Sequence, residues 1–378
     1  MANQIKIRRD TASNFQTENP TLGAGEFSLE TDTSKIKIGD GSTAYNSLQF
    51  IDGDAAAALT SIVQGSSYVY AVGGINDATI NNGQSLRDIQ RWSVSSDENA
   101  TDIGDYFPSA PAGRVAAASG TSTTHGYISG GLYNPPQVTY NNAIYKFAFS
   151  SPHAGTDVGN LTKSYFRGMG SSSPTDGYHS GGRGNPASPN YVTDHNKYPF
   201  ASDADATDNG DLTVGRYNTS AGNSSPLASY FAGGSSPALV DTIDKIPFTA
   251  GGTATDVGDL TTTVRNSSSS NSVDTGYVHS MQSPLGLAEN VLNTILKFPY
   301  ASDADATDSQ DLFAAVWMAA GSSSDASGYT TGGARSPGSP VGGAVTNIIQ
   351  KFPFANNSNG TDVGDLATAV TDHTGNQS

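Results

Sequence analysis

The sequence predicts an all-β protein whose main body is a β-propeller, a closed ring of four-stranded sheets. Three short sequence signals recur in a fixed order about every 50 residues, and this spacing indicates a repeated structural unit. Glycine makes up 43 of the 378 residues, an excess that favours many turns between short strands. The 17 tyrosines and 14 phenylalanines are spread regularly along the chain, which favours a packed core over disorder.

Each copy of the repeat carries the same three signals. The first is an apolar run that ends in a glycine pair, as in residues 230–234, although the fifth copy has Ser280 and Met281 at this place. The second is an Ile-x-Lys-Phe-Pro-Phe-like segment, as in residues 349–354. The third is Thr-Asp-x-Gly-Asp, and its six copies begin at Thr101, Thr156, Thr207, Thr255, Thr307 and Thr361. This spacing predicts a six-bladed, kelch-like propeller over residues 66–378.

Four strands, A to D, are predicted in each copy. Strand A is residues 216–223 in the fourth copy, and strand B is the run into the glycine pair, where a Cβ would obstruct a tight turn. Strand C holds the Lys-Phe-Pro-Phe segment, with its proline at a strand end because proline lacks an N–H. Strand D follows a Thr-Asp-x-Gly-Asp turn. The first copy lacks a strand A and residues 367–378 supply a surplus one, so the C-terminal strand is predicted to close the ring.

Residues 1–52 show none of these signals and predict a separate, small β-rich module. Residues 5–7 predict a strand, and residues 26–30 and 35–38 predict a hairpin. A module of this size with few large apolar side chains is marginal alone, which favours self-association. Residues 53–65 predict either a short helical linker, with Leu59, Ile62 and Val63 on one face, or a plain connector.

The module has a distinctive order of residues. It runs Ile7-Arg8-Arg9-Asp10-Thr11, Asn19-Pro20, Leu22, Gly25-Glu26, Glu30-Thr31-Asp32-Thr33, Lys35-Ile36-Lys37-Ile38-Gly39-Asp40-Gly41 and Tyr45-Asn46-Ser47-Leu48. This order resembles the N-terminal module of bacteriophage tail-fibre and receptor-binding proteins of the major tropism determinant type. The resemblance implies a trimeric β-prism that joins a receptor-binding domain to other tail or capsid proteins of the virion. The rest of the chain resembles kelch-like repeat segments of phage proteins, not that family's C-type-lectin-like tip.

The charge pattern excludes two classes of partner. The formal net charge is −16 and the isoelectric point is near 4.5, so the basic footprint that nucleic acid requires is missing. No run of 18 apolar residues occurs, and no apolar segment follows the basic N-terminus, so neither membrane insertion nor a signal peptide is expected. The absence of cysteine excludes thiolate catalysis and thiolate metal sites.

Two aspartate clusters have the carboxylate density of a calcium loop. They are Asp203, Asp205 and Asp208 in the third copy and Asp303, Asp305 and Asp308 in the fifth. No glutamate completes either site, and the alternative is that these side chains bond their own backbone in a recurring turn. We expect no metal and no cofactor, and these carboxylates are the candidates if a metal binds.

The sequence favours a binding protein over an enzyme. Thr-Asp-x-Gly-Asp is weakly similar to the Asp-box of six-bladed sialidases, which also need clustered arginines, a tyrosine nucleophile and an acid. Arg114, Arg216 and Arg265 occupy equivalent positions in the repeat, which favours a packing role. The histidines are scattered, at His125, His153, His179, His195, His279 and His373. The alternatives are a propeller-type glycan-cleaving enzyme and a capsid or tail decoration protein without a receptor.

The copies differ most between strands B and C. These segments are residues 75–87, 132–142, 183–193, 235–242, 282–293 and 334–346. Function concentrates in loops on a rigid scaffold, although drift of idle loops is an equal alternative for any one of them. In a four-stranded blade the B–C and D–A connections share one face. We predict that Tyr133, Tyr140, Arg183 and Tyr191 bind a host-surface glycan or protein, as part of a virion appendage.

Overall fold

The computed structural model contains two compact units, Met1–Ser61 and Ile62–Ser378. It describes residues 7–33, 35–48, 50–51, 65–76, 85–107, 114–115, 117–133, 139–151, 153–185, 191–217, 222–283, 290–335 and 344–378. The predicted linker, residues 53–65, lies outside this part of the chain except for Gly65. In the described part, no helix is long and apolar enough to cross a membrane.

The first unit is a small sheet with one helix. Its elements are β1 (Arg8–Asp10), α1 (Ala12–Glu18), β2 (Phe27–Glu30), β3 (Ile36–Ile38), a 3-10 helix (Tyr45–Ser47) and β4 (Phe50–Ile51). The strand order is β1-β2-β3-β4, with β1 parallel to β2 and the other pairs antiparallel. The predicted hairpin is confirmed as β2 and β3. The first strand begins at Arg8, so the prediction of a strand at residues 5–7 was wrong for Ile7, the one described residue of that range.

Helix α1 was not predicted from the sequence. Thr11 caps its first turn by accepting the backbone N–H of Asn14 at 3.3 Å, and Asn19 ends it in the left-handed conformation with φ of 42°. Phe15 packs inward and stacks on Tyr45 with ring centroids 4.5 Å apart. Since seven residues are too few for an independent helix, this packing holds α1 in place.

The second unit is built from six copies of the repeat. The first gives β5 (Tyr68–Val72), β6 (Asp88–Ser93) and β7 (Thr101–Asp105); the second gives β8 (Arg114–Val115), β9 (Ala118–Thr121), β10 (His125–Ser129), β11 (Leu132–Tyr133), β12 (Thr139–Ala148) and β13 (Thr156–Phe166). The third gives β14 (Met169–Ser172), β15 (Asp176–Ser180), β16 (Arg183–Asn185), β17 (Asp194–Pro199) and β18 (Thr207–Asp211). The fourth gives β19 (Gly222–Ser224), β20 (Ala228–Ser236), β21 (Ala238–Pro247) and β22 (Thr255–Val264). The fifth gives β23 (Ser268–Asn271), β24 (Thr275–His279), β25 (Met281–Gln282), β26 (Val291–Leu292), β27 (Thr294–Pro299) and β28 (Thr307–Asp311). The sixth gives β29 (Ala320–Ser323), β30 (Ser327–Thr331), β31 (Ile348–Pro353) and β32 (Thr361–Asp365), and the chain ends with β33 (Thr374–Gln377).

Each copy contributes an antiparallel sheet with the order A-B-C-D. The sheets are β33-β5-β6-β7, β9-β10-β12-β13, β14-β15-β17-β18, β19-β20-β21-β22, β23-β24-β27-β28 and β29-β30-β31-β32. In the second sheet, β13 also pairs with β16 of the third copy. As predicted, the C-terminal strand β33 supplies the missing strand of the first sheet by pairing with β5.

The A strands contact one another in a closed order, β9, β14, β19, β23, β29, β33 and back to β9. Glycines let their backbones touch, because a Cβ on Gly170 would lie 1.9 Å from the carbonyl oxygen of Ser119. A Cβ on Gly375 would lie 2.0 Å from the carbonyl oxygen of Gly321. The architecture of the described residues is all-β and consistent with a β-propeller.

The glycine pair directly follows strand B as predicted in four copies, and in the fourth copy it lies inside β20 at a register shift; φ is positive at both residues in all five pairs. Gly181, for example, has φ of 61°, and a Cβ there would lie 2.7 Å from the carbonyl oxygen of Arg216. In the fifth copy Ser280 itself adopts φ of 55°, and its Oγ donates to the carbonyl oxygen of Val316 at 3.0 Å. The strand C prolines are also placed as predicted, at the last residue of β17, β21, β27 and β31.

Two strand assignments need correction. The Thr-Asp-x-Gly-Asp motif is not the turn before strand D, because it forms strand D itself, as in β7, β18 and β32. Its glycine has positive φ and meets the next copy: a Cβ on Gly159 would lie 2.5 Å from the carbonyl oxygen of Ala204. Strand A of the fourth copy is Gly222–Ser224, shorter than the predicted residues 216–223, of which 218–221 are not described.

Aromatic side chains join neighbouring sheets. The strand B tyrosine of one copy stacks on the second aromatic of the Lys-Phe-Pro-Phe segment in the next. The stacked pairs are Tyr70–Phe149, Tyr127–Phe200, Tyr178–Phe248, Tyr230–Tyr300 and Tyr277–Phe354, with centroids 4.6 to 5.1 Å apart. Each such pair contributes about 0.5–1.5 kcal/mol beyond its buried area, which explains why these positions stay aromatic from copy to copy.

Candidate ligand-binding surface

One end of the ring of sheets presents the same backbone position once in each copy. The residue after the glycine pair lies opposite a residue of the segment between strands D and A. The pairs are Ile75/Thr371, Leu132/Val115, Arg183/Phe166, Ser235/Tyr217, Gln282/Arg265 and Ala334/Trp317. The pairing of the backbone is kept while the residue types differ, so this end combines a rigid frame with variable groups.

Five side chains at this end form a continuous row, which we call the aromatic–arginine row: Tyr140, Phe166, Arg183, Tyr217 and Tyr191. Tyr140 stacks on Phe166 at 5.6 Å between ring centroids, and Phe166 lies opposite Arg183 in the sheet. The Arg183 guanidinium lies 5.3 Å from the centre of the Tyr217 ring, and Tyr191 packs against Tyr217 at 5.1 Å. Phe166 is buried and the other four are half-buried, so each presents part of its surface to solvent.

The row contains three of the four residues that the sequence singled out, namely Tyr140, Arg183 and Tyr191. Tyr133 lies in β11 opposite Arg114, and its side chain is outside the described part. Sequence reasoning missed Phe166 and Tyr217, because neither lies in a B–C segment: Phe166 ends β13, where strand D meets the D–A segment, and Tyr217 lies in a D–A segment. The D–A segments share the face of the B–C connections, and this shared face was the available signal.

The axis of the ring is closed at this end by polar side chains. Arg167 donates to Asp372 at 3.0 Å and to the Asn266 side chain at 3.3 Å, and its guanidinium also contacts the sulfur of Met318. These four residues each have positive φ and stand just before an A strand. Burial raises the pKa of the Asp372 carboxyl, while the Arg167 charge opposes that rise.

Behind this closure the A strands leave only a small cavity of about 70 Å³, lined largely by Gly, Ser and Ala. A cavity of that size holds a few water molecules. A ligand at this end would therefore lie on the aromatic–arginine row and not in the axis.

The predicted metal candidates lie at the opposite end and join neighbouring copies. Asp203 pairs with Lys146 of the preceding copy, and Asp303 pairs with Lys245 at 2.8 Å. Asp205 accepts the backbone N–H of Asn160 at 2.8 Å. The equivalent bonds of other copies run from Asp259 N–H to Asp305, from Asp311 N–H to Asn359 and from Asp365 N–H to Asn99. These side chains therefore have inter-sheet partners that the sequence did not suggest.

Asp208 is the one of these candidates whose observed bond lies within its own strand. Its carboxylate accepts the backbone N–H of Gly210 at 3.0 Å. Asp308 is part of β28 and lies opposite Leu296 of β27. Among the described residues, no three His, Asp or Glu side chains are grouped so that they could hold a metal ion.

A wider, open cavity of about 760 Å³ lies between the fifth and sixth copies at this acidic end. Its walls include Tyr277, Lys297, Asp305 and Phe354. Lys297 donates to Asn357 at 3.0 Å, where other copies place an aspartate. Tyr140, Arg183 and Tyr191, the predicted ligand-binding residues whose side chains are described, do not line this cavity.

The prediction that Arg114, Arg216 and Arg265 occupy equivalent positions was wrong for Arg265, which pairs with Gln282 where the fourth copy has Tyr217, one residue after Arg216. The described arginines among them do not form a cluster. Arg216 is fully buried and pairs with Asp244 of its own copy at 2.7 Å. Arg265 donates from Nε to the Gln282 side chain at 2.9 Å. The side chain of Arg114 is not described. Both described arginines thus have packing partners inside their own copy.

Four histidines are buried between the sheets. They are His179, His195, His279 and His373, and burial lowers their pKa values to about 3, 4, 3 and 3 respectively. Each ring bonds a Ser or Thr hydroxyl; His279, for example, contacts Ser270 at 2.9 Å and Thr330 at 2.8 Å. They stay neutral at physiological pH and serve packing.

In the N-terminal unit, the usual burial of apolar and exposure of polar side chains is reversed along the hairpin. In β2 and β3 the polar Ser28, Glu30 and Lys37 are buried, whereas Phe27, Leu29 and Ile36 are half-buried and Ile38 is exposed. Lys37 donates to the carbonyl oxygen of Tyr45 at 2.7 Å, and the Tyr45 hydroxyl donates to Glu30 at 3.0 Å. Desolvation lowers the pKa of Lys37 and raises that of Tyr45 to about 12. The module thus buries these polar side chains beside the apolar cluster of Phe15, Leu22 and Tyr45, and the other face of the hairpin carries partly exposed apolar side chains.

Comparison with known proteins bears on both units. A solved structure titled "Structure of YjhT" is similar to the chain, with a TM-score of 0.55 and 12% identity over 71% of this chain and 89% of that one. At this identity the likeness concerns the fold alone, and it agrees with a β-propeller. Residues 5–43 match the family model of the major tropism determinant N-terminal domain. This match supports a phage tail-fibre-like origin and a virion component. No curated protein matches the chain.

Proposed function

We propose that the chain is an adhesion protein of a phage virion, such as a tail fibre, and not an enzyme. The N-terminal module attaches it to other tail or capsid proteins, and a propeller binds a glycan or protein on the host surface. The observation that carries this proposal is the aromatic–arginine row, which lies where the copies differ most. Tyrosine and arginine dominate binding energy at interfaces, because they combine large apolar area with directed polar groups.

The propeller is proposed to have six blades and to be kelch-like. This count is supported by the six sequence copies and by the six four-stranded sheets of the described residues. It is also supported by the A strands, each of which contacts the next until the last contacts the first. The repeat length of about 50 residues supports the kelch-like type.

Adhesion is tested with the full-length protein on host cells. Tyr191→Ala and Tyr217→Ala remove two rings of the row while leaving the buried sheets intact, so we expect weaker binding with an unchanged melting temperature. Leu227→Ala is the control, since it removes an exposed apolar side chain from the connection between strands A and B, at the end of the sheets away from the row. Normal adhesion by the double variant, or an equal loss in the control, contradicts the proposal.

The same preparations separate adhesion from glycan cleavage. Incubation with host polysaccharide, followed by a reducing-end assay, should detect no new ends while binding is measurable. Release of reducing ends by the wild type that stops in the Tyr191→Ala, Tyr217→Ala variant would instead support a glycan-cleaving propeller. Binding to particles without binding to cells would support a decoration protein.

We further propose that the module assembles the chain into a homotrimer. The partly exposed apolar side chains of β2 and β3, with Ile38 37% exposed, and Ile7 before β1, which is 39% exposed, offer a surface for other copies of the chain. Light scattering should give three times the chain mass for the wild type and a smaller mass for Ile38→Asp. Val273→Asp, which changes a residue that is equally exposed in the other unit, should leave the mass unchanged. A monomeric wild type contradicts this proposal.

A further inference from the structure

Arg183 is held in place within the row. It begins β16, whose backbone pairs with the end of β13, so its Cα position is fixed by a sheet and not by a loop. The guanidinium lies 5.3 Å from the centre of the Tyr217 ring, a distance typical of a cation–π contact. Tyr191 supports the same ring at 5.1 Å.

The charge of Arg183 has no carboxylate partner among the described residues. Other arginines do have one, since Arg167 pairs with Asp372 and Arg216 with Asp244. The Arg183 Nε atom is buried and makes no hydrogen bond within the described structure. The segments that border the row in sequence, 134–138, 186–190 and 218–221, contain no Asp or Glu.

This cation stands out in a strongly acidic chain. The net charge is −16, and Asp203 and Asp303, in the turns before strand D, lie at the opposite end of the sheets. The last aspartate of strand D lies at the end of the row, as Asp211 does opposite Asp194. These two carboxylates bond Thr193 and Lys163, not Arg183. Because the interior and its edges screen charge less than water does, a half-buried guanidinium without a counterion attracts an anion. The planar guanidinium matches the geometry of a carboxylate or phosphate group.

We infer that the ligand of the row is an anionic saccharide. Arg183 pairs with its carboxylate or phosphate group, and Tyr191 and Tyr217 pack against the adjoining sugar ring. The inference rests on the proposed adhesion function and specifies its substrate class. A neutral glycan would leave the Arg183 charge without a partner, so the site discriminates against it.

The test measures binding of the full-length protein to three immobilised probes: a uronic-acid oligosaccharide, its carboxyl-reduced neutral counterpart, and a phosphate-bearing oligosaccharide. The wild type should bind at least one anionic probe about 10-fold or more tightly than the neutral one, the factor that a charge-assisted hydrogen bond provides. The carboxylate and phosphate arms identify which anion is preferred. Raising the ionic strength should weaken binding to the anionic probes.

Variants assign the effect to Arg183. Arg183→Gln should lose about 10-fold or more in affinity for the anionic probe and keep its affinity for the neutral one. Lys297→Gln, which removes one positive charge at the opposite end and whose observed partner is the neutral Asn357, is the matched control and should bind normally.

Equal binding of anionic and neutral probes by the wild type, or unchanged affinity in Arg183→Gln, overturns the inference. If Tyr191→Ala, Tyr217→Ala abolishes adhesion to host cells while Arg183→Gln adheres normally, the adhesion function stands and the anionic ligand is wrong. If the wild type adheres neither to cells nor to any probe, both proposals fail.

Discussion

Removal of the C-terminal strand should open the ring. Residues 374–377 pair with residues 69–72 across the first sheet, and the terminal Ser378 exchanges backbone hydrogen bonds with Tyr68 at 2.9 and 3.2 Å. At roughly 1 kcal/mol net for each hydrogen bond, deletion of residues 374–378 destabilises the unit by on the order of 5 kcal/mol. That loss is comparable with the whole stability of a typical domain, about 5–15 kcal/mol.

A single side chain offers a milder version of the same change. Asn376 is fully buried and its amide donates to the carbonyl oxygen of Gly120 at 2.7 Å and to the Thr121 hydroxyl at 3.0 Å. Asn376→Ala should therefore reduce the free energy of unfolding by about 2 kcal/mol. Asn356→Ala is the control, since the observed bond of that amide is to Ser358 within its own turn.

Thermal and urea unfolding, followed by circular dichroism, provide the assay. We expect the deletion to lose cooperative unfolding and to aggregate through the exposed edge of β5. We expect Asn376→Ala to unfold cooperatively at lower urea than Asn356→Ala. Wild-type unfolding of the deletion variant would refute the closure of the ring by β33.

Two further predictions concern buried charges. Asp244→Asn should lower the free energy of unfolding by about 3–5 kcal/mol, because it leaves the Arg216 charge buried without its counterion. In urea titrations, the double change Arg216→Met, Asp244→Leu should recover much of that loss. Equal stability of Asp244→Asn and the wild type contradicts this account. Burial holds the pKa values of His179, His195, His279 and His373 at about 3 to 4 in the folded state. Since an unfolded histidine titrates near 6.5, the stability they contribute is present above about pH 6.5 and falls as the pH is lowered towards 3, by about 2 kcal/mol for each group at pH 5. His279→Gln should reduce the loss of unfolding free energy between pH 7 and pH 5 by about 2 kcal/mol, the contribution of one histidine. An unchanged dependence of the unfolding free energy on pH would show that His279 is not buried in its neutral form.

Local patterns predicted the features of the repeat that depend on local geometry. The glycine pair requires positive φ, which only glycine adopts at little cost, so its place at the end of strand B could be read directly. Ser280 shows the limit of that rule, because it accepts φ of 55° and bonds the carbonyl oxygen of Val316. The missing first strand and the surplus last one predicted the pairing of β33 with β5, since an open edge is unfavourable.

Contacts between copies could not be predicted in this way. Thr-Asp-x-Gly-Asp consists of residues that favour turns, yet it forms strand D, because its glycine allows the next copy to approach closely. Asp205 meets Asn160, which lies 45 residues earlier, and Asp303 meets Lys245, 58 residues earlier. No local pattern carries such partners, and for this reason the aspartates suggested a metal loop.

Only part of the aromatic–arginine row could be predicted, because some of its members come together through contacts between copies. Tyr140, Arg183 and Tyr191 stood out because they lie in divergent B–C segments. Tyr217 lies between strands D and A, and only the pairing of its backbone with Ser235 places it beside Arg183. In the module, helix α1 escaped prediction because its stability comes from the stacking of Phe15 on Tyr45 and not from helix propensity.

An electron cryomicroscopy map of intact particles attached to host cells tests the central claim most directly. The account predicts density for the chain on the outside of the particle, with residues 1–52 in three copies at the particle and the aromatic–arginine row at the cell surface. Density in which the acidic end of the sheets meets the cell, or particles that attach normally without the chain, would contradict it.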